Sequence, residues 1–271
     1  MPGSIHPTAI IDPSAEIASG VEIGPYAIIE GGVTIDEGTI IHHHAFIGRG
    51  AQIGKRCVVH HAAVVSNVPQ DLKFKGTEET YVIVGDDCTI REFATLHRAT
   101  IHTSTSNAGT HDGTTRIGRG SLIMAYAHVA HDCVLGEEVI LSNAAQVAGH
   151  VTIEKWAIIG GGALIHQFSL VGSLVMIGGG SHVRKDVPPY CLASGSDFRV
   201  SGVNKIGLQR RGATPEAIDA IKAAFSTLYY SGQNLSDAAA QLEAGATARI
   251  PEVRHLLDFI KSSHRGVAGR A

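Results

Sequence analysis

The sequence predicts a mainly β solenoid, a parallel β-helix over residues 1–189, followed by a small C-terminal α-helical domain over residues 190–271. Three observations carry that prediction. An Ile, Val or Leu recurs every six positions, from Ile5, Ile11 and Ile17 to Val65, again at Val84, Ile90 and Leu96, and from Ile117 without a break to Val183. A small residue stands two places before nearly every one, as at Ala9, Ala27, Ala45, Cys57, Ala127 and Ala163. Past Val183 this period gives way to a helical one. Sustained self-similarity at a short fixed period marks a repeat architecture, and a spacing of six matches neither the i+3/i+4 nor the i+7 contacts of a helix.

Within a strand, residues two apart share a face, so each hexad turns one large and one small side chain inward. Glycine falls at two other hexad positions: directly after the aliphatic (Gly24, Gly48, Gly136, Gly160) and three after it (Gly20, Gly32, Gly38, Gly50, Gly120). Both are expected to be corners, where glycine adopts cheaply a backbone that other residues avoid. Three hexads then make one triangular coil of roughly 18 residues, with coils stacked about 4.8 Å apart. Two polar segments break the register as loop insertions, 66–81 and 102–114. Solenoids accept insertions on one face, which is often the binding face.

In the tail, Thr214-Pro215 reads as a helix N-cap followed by Pro at the first helical position. An apolar stripe of Ala217, Ile218, Ile221, Ala224, Phe225 and Leu228 follows and ends before Gly232. Further helices are expected over 236–242 and 251–263, the last with Val253, Leu256, Leu257 and Ile260 inward. Such a domain would cover the open strand edges at the end of the solenoid.

Composition narrows the function. With 22 Lys and Arg against 25 Asp and Glu, the chain lacks the broad basic surface that a nucleic-acid partner needs. Its start shows no basic region followed by an apolar stretch, and no apolar run is long enough to span a bilayer. A cytoplasmic protein without a transmembrane segment is therefore expected. Cys57, Cys88 and Cys133 occupy small inward positions and read as reduced core filler.

The histidines carry the chemistry. On an 18-residue coil, His131, His150 and His166 come to nearly the same corner of three successive coils, forming a ladder with about 5 Å per step. His128 precedes Val129, and Asp132 directly follows His131. Imidazole suits proton abstraction near neutral pH, and an adjacent carboxylate would fix its tautomer. His42, His43, His44, His60 and His61 lie at early corners without such a partner pattern and read as turn residues. Two enzyme chemistries fit: acyl transfer with one histidine as general base, and zinc hydration chemistry with three histidine ligands across a subunit boundary. His97 and His102, spaced H-x4-H, resemble the γ-class carbonic anhydrases, although the ladder lies elsewhere. A non-catalytic hexapeptide scaffold is the third reading. The triplets at Gly160 and Gly178 keep the hexad register with no helix after them, so they read as corners and not as phosphate cradles.

The run His128-Val129-Ala130-His131-Asp132-Cys133, with Ala148-Gly149-His150, His166-Gln167-Phe168, Asp186-Val187-Pro188-Pro189-Tyr190, Gly207-Leu208-Gln209-Arg210-Arg211-Gly212 and Gln70-Asp71-Leu72-Lys73, strongly resembles the UDP-N-acetylglucosamine 3-O-acyltransferases. These motifs stand in the right order over essentially the whole chain. The resemblance implies a left-handed parallel β-helix assembled as a homotrimer, with active sites between neighbouring subunits and a place at the start of lipid A synthesis. It implies His131 as general base, with Asp132 beside it, and the Gly149 N–H as oxyanion donor. The acyl donor would be a 3-hydroxyacyl group on the 4′-phosphopantetheine of acyl carrier protein, and the acceptor UDP-N-acetylglucosamine. No cofactor and no metal are implied. Asp71, Lys73, His128, His150, His166 and Gln167 would bind the sugar or position the acyl group, and Asn204, Arg210 and Arg211 would reach the uridine diphosphate. Met176 and Gly179 fall where the family's acyl-length ruler sits.

Three departures stand out. Ile206 replaces the acidic residue expected two after Asn204 for the ribose. The Ser/Thr/Gly-rich insertion 102–114 is longer than the family norm. Gly179 has no side chain, which leaves the acyl groove open and favours a longer chain.

Overall fold

In the computed structural model, which describes residues 3–101, 108–110 and 112–270, Ile10 pairs with Ile28 and Ile28 with Phe46, a step of 18 residues. Most strands are two residues long, and every third one joins the same sheet. The result is three sheets of 9, 8 and 10 strands whose pairings are parallel throughout the coils. Large and small inward residues alternate as the sequence requires: Ala27 and Ile29, Ala45 and Ile47, and Ala127 and Val129 are all at most 1% exposed. Each fully buried Ile, Leu or Val contributes about 1.5–3 kcal/mol relative to an exposed one. Ile5, ahead of the first strand, is exposed.

The two glycine positions turn out to do different jobs. Three residues after the aliphatic, the backbone is left-handed at Gly20, Gly32, Gly38, Gly50 and Gly120, but equally at Tyr26, Arg56, Phe93, Tyr126, Asp132, Glu138, His150 and Trp156. The stacked ladder imposes that conformation whatever the residue. Directly after the aliphatic, φ is negative and glycine serves close packing: a Cβ on Gly48 would lie 2.4 Å from the Ser66 carbonyl oxygen, and one on Gly160 2.5 Å from the Gly179 nitrogen.

Strands Val64–Asn67 and Tyr81–Val84 frame the first insertion, and Thr95–His97 and Thr114–Ile117 frame the second. His102–Asn107 and His111 lie outside the described residues, and His102 of the H-x4-H pair is among them. The third sheet continues beyond Met176–Ile177 into Cys191–Ser194, which pairs in parallel, and then Arg199–Val203, which pairs antiparallel. That reversal ends the parallel stack. Helices α1 (Lys205–Arg210), α2 (Pro215–Tyr230), α3 (Leu235–Ala244) and α4 (Pro251–Ser262) follow.

The Thr214 hydroxyl accepts from the Ala217 N–H at 3.2 Å, so the cap read from the sequence forms. On α4, Val253, Leu256, Leu257 and Phe259 are buried, whereas Ile260 is only half-buried. Helix α1 was not anticipated, because six residues are too few to show a period. Cys57, Cys88, Cys133 and Cys191 are free, buried thiols. Among the described residues, no helix is long and apolar enough to cross a membrane.

Candidate active site

Strands Thr95–His97, His128–Val129, Gln146–Val147 and Leu164–Ile165 are neighbours in one sheet, and each feeds the same edge of the prism. His131 is the second residue of its corner, and Gly149 takes the same place one coil on. A Cβ on Gly149 would lie 2.6 Å from His131 Cε1 and 2.8 Å from Nε2, so the imidazole rests directly on the Gly149 backbone. Asp132 and His150 occupy the left-handed third position of consecutive corners, with φ of 60° and 57°. That geometry swings the Asp132 carboxylate back to its neighbour: Oδ2 lies 2.8 Å from His131 Nδ1.

A carboxylate only accepts, so the Nδ1 of His131 donates in this contact, and in the neutral ring Nε2 carries the lone pair. His150 Nε2 stands 3.6 Å from the same Oδ2, and the two imidazoles meet edge to face at 5.2 Å. The next rung is not His166. The ring of His150 stacks on Phe168 at 4.7 Å, one coil further along, while His166 is exposed and its Nδ1 faces the Gln167 carbonyl.

Two further imidazoles lie on the strands that lead into this edge. His97 is buried, and its ring meets His128 edge to face at 4.8 Å. Burial, with His128 and His131 adding to it, pushes the pKa of His97 down to about 4. His128 is lowered as well, first by burial and then by His131, while its Nδ1 sits 2.7 Å from Thr95 Oγ1. Both rings therefore stay neutral near pH 7, and His131 is left as the imidazole with a carboxylate partner.

His131, Asp132 and His150 are the one His/Cys/Asp/Glu group among the described residues whose donor atoms lie close enough to hold a metal. The Asp132 oxygens, however, already accept from Thr100: its N–H lies 3.1 and 3.2 Å from them and its hydroxyl 2.7 Å from Oδ2. That donor set holds the carboxylate against His131. Sequence reasoning passed over Thr100, which sits where the period breaks. It also passed over Phe168 as a partner of His150, although 18-residue counting from His150 reaches it.

Among the described residues, none of the other expected residues makes a hydrogen bond, ion pair or ring contact with His131. Asp71 accepts from the Lys73 N–H at 2.9 Å, which shapes the loop, and Lys73 is exposed. Gln167 and Gly179 are exposed at corners, and Met176 is exposed on the strand Met176–Ile177. Asn204 is the N-cap of α1: its Oδ1 accepts from the Gly207 N–H at 3.0 Å and its Nδ2 donates to the Leu174 carbonyl at 2.8 Å. Arg210 and Ile206 are exposed on that helix. Arg211 pairs with Glu138 at 2.6 Å and lies over the Trp156 ring, at the rim of a cavity of about 790 Å³ between the coils and the C-terminal helices.

Comparison with known proteins bears on this arrangement. Residues 186–268 match the family model for UDP N-acetylglucosamine O-acyltransferase domain 2, and residues 114–145 match the bacterial transferase hexapeptide model. The acyl-[acyl-carrier-protein]–UDP-N-acetylglucosamine O-acyltransferase of Thiobacillus denitrificans is 48% identical over 264 residues, covering 97% of this chain and 98% of that one. This chain belongs to the UDP-N-acetylglucosamine O-acyltransferase family. The Acinetobacter baumannii structure of the family superposes with a TM-score of 0.91 at 41% identity, covering 97% of this chain and 99% of that one. The Francisella novicida UDP-N-acetylglucosamine acyltransferase gives 0.92 at 34% identity, covering 98% and 94%. Membership in the family places the hexapeptide coils and the helical tail in one enzyme.

Proposed function

We infer that this acyltransferase moves a 3-hydroxyacyl group from acyl carrier protein to the 3-hydroxyl of UDP-N-acetylglucosamine, the first step of lipid A biosynthesis, with His131 as general base. The observation that carries the mechanism is the His131–Asp132 contact at 2.8 Å, on an edge where Gly149 leaves the ring room. His131 Nε2 takes the proton of the sugar hydroxyl as that oxygen attacks the thioester carbonyl. The Gly149 N–H, which meets no acceptor among the described residues, is placed to receive the oxyanion of the tetrahedral intermediate. Collapse breaks the carbon–sulfur bond, and the pantetheine sulfur leaves with the proton returned from His131. No step requires a metal.

Substrate contacts fall to Asp71, Lys73, His128, His150, His166 and Gln167 for the sugar and acyl group, and to Asn204, Arg210 and Arg211 for the diphosphate, where a guanidinium fork suits phosphate oxygens. Met176 and Gly179 would bound the acyl chain. Because Asp71, Lys73, Gln167 and Arg210 do not meet His131 within one chain, the reading places each site between subunits of a homotrimer. The four reduced cysteines accord with a cytoplasmic setting. The test is His131→Ala: transfer to UDP-N-acetylglucosamine should fall about 10²–10⁴-fold with the thermal midpoint unchanged. Transfer at the wild-type rate would overturn the assignment.

A further inference from the structure

We propose that Thr100, the Gly109–Thr110 turn and Thr115 form a positioning clamp on the base, because together they engage the carboxylate, the carbonyl and the amide of Asp132. The proposal rests on the reading of His131 as general base. Thr100 and Thr115 stand just outside the two ends of the long second insertion, and Gly109 and Thr110 lie within it. From one end, Thr100 gives Asp132 its N–H, 3.1 and 3.2 Å from the two carboxylate oxygens, and its hydroxyl, 2.7 Å from Oδ2. From the other end, the Thr115 hydroxyl accepts from the Asp132 N–H at 2.8 Å. Between them, the Thr110 N–H donates to the Asp132 carbonyl at 2.8 Å. Thr100, Thr115 and Asp132 are each at most 1% exposed.

The turn also presses on the dyad. Gly109 has φ of +76°, and a Cβ there would stand 2.4 Å from the Asp132 carbonyl oxygen and 2.7 Å from His150 Cα. Its N–H donates to Thr152 Oγ1 at 2.7 Å, and Ala108 is fully buried with Leu170 and with Phe259 of α4. The turn is thereby tied to the coils and to the C-terminal helices at once.

This grip has a chemical consequence. Two imidazoles compete for Asp132 Oδ2, His131 at 2.8 Å and His150 at 3.6 Å. A carboxylate free to rotate would divide itself between them. The two donors of Thr100 hold it in the rotamer that favours His131, and the Thr110 and Thr115 contacts tie down the carbonyl and amide of Asp132 so that the side chain has a fixed base to turn on. The clamp thus selects which histidine receives an orienting partner.

Thr100→Val keeps the shape and removes one donor to Oδ2. Its kcat should fall about 10–100-fold, as for a hydrogen bond to a charged group, with KM for both substrates little changed. Thr100→Ser should restore most of the rate. Thr115→Val, which deletes the acceptor of the Asp132 N–H, gives the second reading should the first variant not fold. A folded Thr100→Val or Thr115→Val with wild-type kcat overturns the clamp, and so does a loss that Thr100→Ser fails to restore. Assayed in parallel, His131→Ala separates the two claims: activity in that variant sinks the base itself, whereas an inactive His131→Ala beside a fully active Thr100→Val sinks the clamp alone.

Discussion

In the proposed mechanism Gly149 meets two demands: its N–H faces the developing oxyanion, and its backbone lies against the His131 ring. Gly149→Ala keeps the first and breaks the second, since the added methyl would stand 2.6 Å from His131 Cε1. A displaced ring misses the attacking hydroxyl, so kcat should fall about 100-fold while circular dichroism and thermal midpoint stay near wild type; an unimpaired Gly149→Ala would show that the ring tolerates displacement. His97 sets a second expectation. Its pKa is pushed down to about 4, against 6.5 for the free side chain. Between those values the unfolded chain binds a proton that the folded chain refuses, so this contribution to stability is complete above about pH 6.5 and is lost as the pH falls toward 4. Over that window the wild-type thermal midpoint should drop more steeply than that of His97→Gln, and parallel curves would refute it. At this scale the sequence was half legible. The adjacency of His131 and Asp132 and the 18-residue spacing to Gly149 can be counted, whereas Thr100 lies beyond a break in the period, and no counting brings it to Asp132.

Between elements, the coils and the helical tail are joined by a polar latch. Tyr190 OH meets His255 Nδ1 at 2.7 Å, His255 Nε2 lies 3.0 Å from Glu154 Oε2, and the same carboxylate oxygen accepts from the Ser173 N–H and hydroxyl, each at 2.7 Å. Burial alone would raise the pKa of Glu154, but the hydrogen bond and charge of His255 and the donors of Ser173 outweigh it and hold the carboxyl below its ordinary range. A depressed carboxyl stabilises the fold above the unfolded value near 4.5, and that stabilisation is lost as the pH falls through the folded value. Glu154→Gln should therefore lower the thermal midpoint by several degrees at neutral pH, about 1–3 kcal/mol, and converge on wild type in acid. A constant gap across pH would contradict the ionic part of the latch. Helix α2 was readable in advance because its cap, its Pro and its stripe are contiguous. The latch was not, since 101 residues separate Glu154 from His255. The left-handed corners were hidden too, because most of them carry residues other than glycine.

At the scale of the whole molecule, the edge that carries His131 borders a surface that water covers poorly. Ile10, Ile28 and Leu164 point outward from the sheet that leads into the catalytic corner and are 63%, 38% and 44% exposed. Along the adjoining corner, Tyr26, Phe93 and Tyr126 are exposed as well, with the last two rings stacked at 5.0 Å. Exposed apolar side chains toward both ends of this sheet and along the adjoining corner call for a partner. Cyclic closure supplies one, since each copy can cover its neighbour with the same two surfaces. The proposed trimer would bury these side chains and bring a neighbour's residues toward His131, which would explain why one chain alone does not assemble the full set. Sedimentation should then give a species of three times 28.4 kDa. Tyr126→Glu combined with Leu164→Glu should yield monomers that have lost transfer, although the His131–Asp132–Thr100 network involves neither residue and should persist in each. A monomeric variant with wild-type turnover would mean that a single chain holds the complete site, and the exposed apolar side chains would then need another occupant.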